Sequence, residues 1–162
     1  MKHWLFVCTL VVALALGVAP SRALGGPIGL GVIAGEPTGI SLKFWLDRVH
    51  AVDAAIGWSL SGDSSLQLHA DYLWHNFGLV RPSGVEGRFP VSYGVGARLD
   101  TGHEDQGHET DDRFGIRVPV GVAWIAASAP IDVFVEIVPV LDLIPDTDLG
   151  VGAAIGVRFW FR

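Results

Sequence analysis

The sequence predicts an all-β fold: an eight-stranded antiparallel up-and-down barrel that crosses a membrane and fills its lumen with side chains. Three observations predict it. From Gly26 to Arg162 the chain divides into eight short segments whose bulky apolar residues take alternate positions, which is the side-chain period of a strand. The intervening positions carry glycines and charges of both signs, where a solvated surface would carry Lys, Glu, Thr and Ser. Beyond the first 23 residues no apolar run reaches the ~20 residues of a spanning helix.

Residues 1–23 have the layout of a secretory signal peptide. Lys2 and His3 open it, an apolar run from Trp4 to Val18 follows, and Ser21-Arg22-Ala23 supplies small residues for cleavage after Ala23. Cys8, the single cysteine, lies inside this segment, so the mature chain is expected to have no disulfide and no Cys-ligated metal. Residues 24–162 suffice for one barrel domain. Without Lys2 and Arg22 the 11 basic residues become 9 against 17 acidic ones, and the net charge moves from −6 to −8. Such a chain is a poor partner for nucleic acid.

The strands follow in order, each with an apolar and an opposing face. The first sets Ile28, Leu30, Val32 and Ala34 against Gly29 and Gly31. After the turn Gly35-Glu36-Pro37-Thr38, whose Pro and Gly set the backbone angles, Ile40, Leu42, Phe44 and Leu46 oppose Ser41, Lys43, Trp45 and Asp47. The third has Val52, Ala54, Ile56, Trp58 and Leu60 against Asp53, Ala55, Gly57 and Ser59, and the fourth Leu66, Leu68, Ala70, Tyr72 and Trp74 against Gln67, His69, Asp71 and His75. In the fifth, Val91, Tyr93, Val95 and Leu99 face away from Ser92, Gly94, Gly96 and Arg98. The sixth runs from Phe114 to Trp124, with Arg113, Gly115, Arg117 and Gly121 on its other side. Ile131, Val133, Val135 and Ile137 of the seventh oppose Asp132, Phe134 and Glu136. The last sets Val151, Ile155, Val157, Phe159 and Phe161 against Gly152, Gly156, Arg158 and Arg162.

The polar face decides which side is in. Lys43, Arg98, Arg117 and Arg158 nearly balance Asp53, Asp71, Asp132 and Glu136, and His69 joins them. Glycines and matched charges suit the interior of an eight-stranded barrel, which is just wide enough for side chains to fill, provided each buried ion is paired. The apolar face then points to lipid. Phe44, Tyr72, Trp74, Tyr93, Trp124, Phe159 and Phe161 form an aromatic girdle at one edge, with Trp58 and Phe114 at the other. An even strand count closes the sheet and leaves no edge in hydrocarbon. Pro119 and Pro139 each remove a ladder hydrogen bond, which predicts a bulge or register shift near them. The connection from Asn76 to Arg88 is long for a periplasmic turn.

At this point the chain resembles the small eight-stranded outer-membrane barrels, the OmpX-like proteins and the membrane domain of OmpA-like proteins. The segments GEPTGISLKFW (Gly35 to Trp45), LHADYLWH (Leu68 to His75) and VPVLDLIPDTDLGVGAAIGVRFWF look more narrowly like a family of small bacterial barrel proteins without assigned catalytic residues. The resemblance implies a bacterial outer-membrane location, outer-membrane lipid around the barrel, and assembly by the barrel assembly machinery. The usual assembly signal ends on an aromatic residue; here Arg162 follows Phe161, and recognition would fall to Phe159 and Phe161.

Two groups of residues invite chemistry. The connection from Asp100 to Asp112 gathers Asp100, His103, Glu104, Asp105, His108, Glu109, Asp111 and Asp112, oxygen and imidazole groups that could hold Ca²⁺ or Zn²⁺. Their spacing matches no calcium loop, and a solvated acidic loop on the outer side is the stronger expectation. His69, Asp71 and His75, with Ser59 and Ser92 near, sketch a hydrolase triad, but they point into a plugged lumen, so hydrogen-bonded packing is the expected role. No cofactor is expected. The leading function is a non-enzymatic outer-membrane barrel, structural or binding an unidentified surface ligand through its outer loops. The alternatives are a narrow solute-binding or transport barrel, a soluble secreted or periplasmic barrel, and a lipid-modifying barrel enzyme.

Overall fold

The computed structural model describes residues 26–58, 66–101 and 112–161. The expected signal peptide, Ser59, Arg162 and the 102–111 part of the acidic connection lie outside them. The strands are β1 (Ile28–Gly35), β2 (Thr38–Trp45), β3 (His50–Trp58), β4 (Leu66–Val80), β5 (Phe89–Thr101), β6 (Arg113–Arg117), β7 (Val120–Ile125), β8 (Ile131–Ile144) and β9 (Asp148–Phe161). Neighbours in sequence pair antiparallel except β6 and β7, which each pair with β5 and β8; β1 pairs with β9, and the sheet closes into a ring. The fold is therefore an all-β antiparallel barrel without a free edge.

The described chain has nine strands where the alternation predicts eight. The extra one arises because Val118 and Pro119 interrupt the sixth expected strand, leaving β6 and β7. Both halves occupy one place in the ring, between β5 and β8. The register shift expected at the prolines is not there. Gly96↔Arg117 and Tyr93↔Val120 lie on one continuous ladder with β5, and Arg117↔Val140 and Val120↔Ile137 on one with β8. Each proline lacks only its own N–H. The carbonyl of Pro119 still accepts from Gly94 N at 3.0 Å, and that of Pro139 accepts from Val118 N at 2.9 Å. The irregularities fall elsewhere, between Phe114 and Gly115 and between Asn76 and Val80. The long connection also shortens, because β4 runs on to Val80 and β5 starts at Phe89.

One row of paired residues runs Leu30, Leu42, Ala54, Ala70, Ala97, Ile116, Leu141 and Leu149. Leu30 itself pairs with Phe159, ten residues beyond Leu149 on β9. That stagger tilts the strands, by roughly 35–45° in barrels of this kind.

The barrel has a terminal end, with Pro27, the β2–β3, β4–β5 and β7–β8 turns and Phe161, and an opposite loop end. Bulky residues point outward: Leu30, Val32, Ile40, Leu68, Val95 and Val157 are all at least 40% exposed. Of the girdle residues, Phe44 is half-buried and the other eight are exposed. Toward the terminal end, Tyr72 meets Trp74 edge-on at 4.8 Å, Trp74 stacks with Tyr93 at 6.1 Å, and Phe159 meets Phe161 at 5.1 Å. The core is the lumen.

Candidate functional site in the barrel lumen

The lumen is built from the residues that alternate with the outward apolar ones, in layers from the terminal end upward. The lowest layer is apolar: Trp45, Ala51, Ile125 and Trp160 cluster with Phe77 against them. Trp45 lies 6.2 Å from both Trp160 and Phe77, and 4.4 Å from His75, between ring centroids.

Ions follow. Lys43 and Asp53 face each other across the β2–β3 ladder, as Asp132 and Arg158 do across β8–β9, which places opposite charges within side-chain reach. Lys43 Nζ is 4.0 Å from Asp53 Oδ2 and 2.8 Å from His75 Nε2. Arg158 donates to Asp53 at 2.6 Å, Asp132 at 3.2 Å and Ser41 at 3.4 Å, with its guanidinium 3.9 Å over the Phe134 ring. The geometry fits a fully buried cation, whose cost is offset only by paired charges and hydrogen bonds in place.

Higher up, Arg117 Nε stands 3.0 Å from Asp71 Oδ1, and its Nη2 donates to Glu136 at 3.4 Å. His69 Nε2 lies 3.9 Å from Asp71 Oδ2. Toward the loop end Arg98 forms a two-pronged pair with Asp142, at 3.1 and 2.6 Å, and approaches Asp100 at 3.6 Å. Fork-shaped pairing of this kind fixes orientation as well as charge.

All nine residues expected inside therefore sit in the lumen, joined by partners the alternation did not pick out. Asp142 is in phase with Asp132 and Glu136, but it lies past Pro139, where the expected bulge or register shift would lose the phase. Asp100, expected in the acidic connection, instead lies in the last two residues of β5, beside Arg98. With these two, the ion-paired groups of the lumen among the described residues number six carboxylates against four cations, so the near balance expected from the sequence tilts acidic there. Trp45 and Trp160 were legible only as in-phase aromatics.

The remaining candidates separate. His75 uses one ring nitrogen on Lys43 and the other on the Val49 carbonyl at 3.1 Å. Ser92 is its partner in register, yet His75 has no free nitrogen with which to activate it. His69 sits toward the loop end with Asp71, so the three groups do not converge on a described hydroxyl. Of the acidic connection, Asp100 is buried and Asp112 exposed; His103, Glu104, Asp105, His108, Glu109 and Asp111 lie outside the described residues. Among the described residues no group of three or more His, Cys, Asp or Glu is placed to hold a metal ion.

No protein-family model matches the chain, and no curated protein does. Among solved structures it is similar to the crystal structure of the N-terminal β-barrel domain of Pseudomonas aeruginosa OprF. The TM-score is 0.56 and the identity 15%, over 82% of this chain and 93% of that one. At that identity the likeness speaks for the barrel fold.

Proposed function

We propose that this chain is a non-enzymatic barrel of the bacterial outer membrane, akin to the small OmpX- and OmpA-type barrels, that serves a structural or surface-binding role through its outer loops. The observation that carries the reading is the inverted distribution of side chains. Arg117, Arg158, Asp132 and Lys43 are buried to 3% exposure or less, while Trp58, Val32, Ile155 and Ile137 on the outer wall are more than half exposed. A soluble protein rarely leaves an apolar surface of that extent in water; hydrocarbon is the solvent that suits it, with aromatics at the rim.

On this reading outer-membrane lipid surrounds the wall, and the barrel assembly machinery inserts it. A transport barrel needs a continuous wet path, and both an apolar plug and layers of ion pairs stand across the lumen. A lipid hydrolase needs its nucleophile and base at the lipid face, whereas His69 and His75 point inward. The test is membrane fractionation of cells expressing the full chain, with gel migration before and after boiling. Recovery in the outer membrane and a heat-dependent shift are expected; recovery in the soluble periplasmic fraction would falsify the proposal.

A further inference from the structure

The connection from Asn76 to Arg88, long for a turn at the terminal end, has a shape that closure of the barrel does not require. Between Asn76 and Val80 the chain of β4 advances four residues while its partner β5 moves only two, from Val91 to Phe89. The surplus residues form a bulge, which bends the hairpin, and Asn76 Oδ1 closes it by accepting from Gly78 N at 2.8 Å. The bend sends side chains in two directions. Phe77 turns under the barrel, its ring centroid 6.2 Å from that of Trp45 and 5.1 Å from the Arg88 guanidinium. Leu79, Val80 and Val85 stay outside, 66%, 38% and 52% exposed.

Two contacts fix the height of this hairpin on the wall. Trp124, a girdle residue, donates through Nε1 to the Glu86 carbonyl at 2.9 Å, and Gly87 passes so close to the same ring that a Cβ there would strike it. The stretch from Val85 to Gly87 thus lies at the aromatic rim, the headgroup level of a membrane barrel. Nearby, the Val49 carbonyl accepts from His75 N at 2.7 Å, which sets the exposed Arg48 of the β2–β3 turn beside the start of the bulge. Of the four exposed arginines among the described residues, Arg48, Arg81 and Arg88 gather at this end, and Arg113 lies at the loop end. The acids near the three are Glu86 and Asp47, the latter engaged by the His50 ring and two amides.

We propose that the β4–β5 hairpin is an interfacial anchor that binds anionic phospholipid, with Arg81 and Arg88 on the phosphate and Leu79, Val80 and Val85 among the first acyl carbons. The anchor rests on the membrane reading above and names a lipid class and a site which that reading leaves open. Exposed apolar side chains beside arginines suit neither water alone nor hydrocarbon alone; the boundary between the two suits both. Guanidinium forks match phosphate oxygens two at a time, and an anionic headgroup adds an attraction that a zwitterionic one lacks. A free anion would use the arginines and leave the apolar residues bare, so a lipid is the occupant that satisfies both sets.

The test uses the full chain refolded in maltoside micelles, and only barrel showing the folded, heat-shifted migration is counted. Dihexanoyl phosphatidylglycerol or dihexanoyl phosphatidylcholine is titrated in while the amide signals of Gly84 and Gly87 are followed by NMR. Phosphatidylglycerol is expected to saturate the shifts at a concentration about tenfold lower than phosphatidylcholine, the scale of two arginines near an anionic surface. Arg81→Gln with Arg88→Gln should remove most of that difference, Arg113→Gln should keep it, and Leu79→Ser with Val85→Ser should weaken both lipids alike. No preference, or a preference that survives the double arginine variant, overturns the anchor; so does displacement of phosphatidylglycerol by millimolar inorganic phosphate, which would mark a free-anion site. Should the double variant not fold, the unaltered barrel decides: preference at Gly84 and Gly87 without shifts at Gly150 is the expected result, and equal shifts at both ends sink the proposal. Recovery in the outer membrane without lipid preference fails the anchor alone, whereas recovery in the soluble fraction fails the membrane reading and the anchor together.

Discussion

Arg158 holds two carboxylates on two different strands at once, at 2.6 and 3.2 Å, from a position 1% exposed. Replacing it with Met keeps much of the volume and leaves Asp53 and Asp132 buried without their cation. Breaking a buried pair from one side costs about 3–5 kcal/mol, so Arg158→Met is expected to lower the unfolding free energy read from urea titration by that much, and Asp53→Asn in the same chain to restore part of it. A loss under 1 kcal/mol would show that the network is not what holds β8, β9 and β3 together. Asp47 offers a contrast, because it lies in the β2–β3 turn outside the barrel wall. The Val49 N–H, then the His50 side chain and the His50 N–H, hold its carboxyl down to about 2, below the ordinary 3.8; its oxygens are 2.7 and 2.8 Å from those amides and 2.6 Å from the ring. A depressed carboxylate stabilises the fold at pH above its unfolded value and loses that contribution as pH falls through its folded one. The stability difference between the natural chain and Asp47→Ala is therefore expected to be full at pH 6 and to shrink between about pH 4 and 2. A difference that does not change with pH over that range would rule the turn's charge out.

At the scale of the element, the seam between β1 and β9 turns a sheet into a barrel, and Gly31 sits in it. A Cβ at Gly31 would run into the backbone carbonyl oxygen of Val157, which no side-chain rotation can relieve. Gly31→Ala is expected to cost about 3 kcal/mol, the upper end of overpacking, and to reduce the heat-shifted species, whereas Gly150→Ala, with nothing within 4 Å of its Cβ, should leave it unchanged. Comparable loss in both would point to a cause other than the seam. The same element shows what a sequence can and cannot disclose. Faces were legible, since one wrong residue of phase would have put Lys43 or Arg158 in the apolar row, and narrow lumens accept glycine on the other. Strand ends were less so: the alternating residues that mark the seventh expected strand stop at Ile137, and Pro139 implies a bulge or register shift inside it, whereas β8 keeps its register through Pro139 and continues to Ile144. That hid Asp142, and with it the partner of Arg98. Pairings between distant strands, such as Arg158 with Asp53 or Arg117 with Asp71, depend on the stagger of the ring, which alternation alone does not determine.

For the molecule as a whole, the question is whether a closed ring of strands is also a passage. Three barriers lie in series between its ends: the Arg98–Asp142 pair, the layer in which Arg117 and Arg158 bridge carboxylates, and the aromatic layer around Trp45 and Trp160. An ion crossing would have to separate buried pairs, each a matter of several kcal/mol, and then pass side chains with no polar group to replace its hydration. The intact barrel reconstituted in a planar bilayer is therefore expected to show no steady conductance above the lipid background at 1 M salt. Trp45→Ala with Trp160→Ala removes the last barrier but keeps the ion layers, so that variant too is expected to stay closed, while adding Arg98→Ala, Arg117→Ala and Arg158→Ala should raise the current if the barrel still forms. A stable open level in the unaltered protein would refute the layered plug, and it would return the narrow transport barrel to first place among the functional readings.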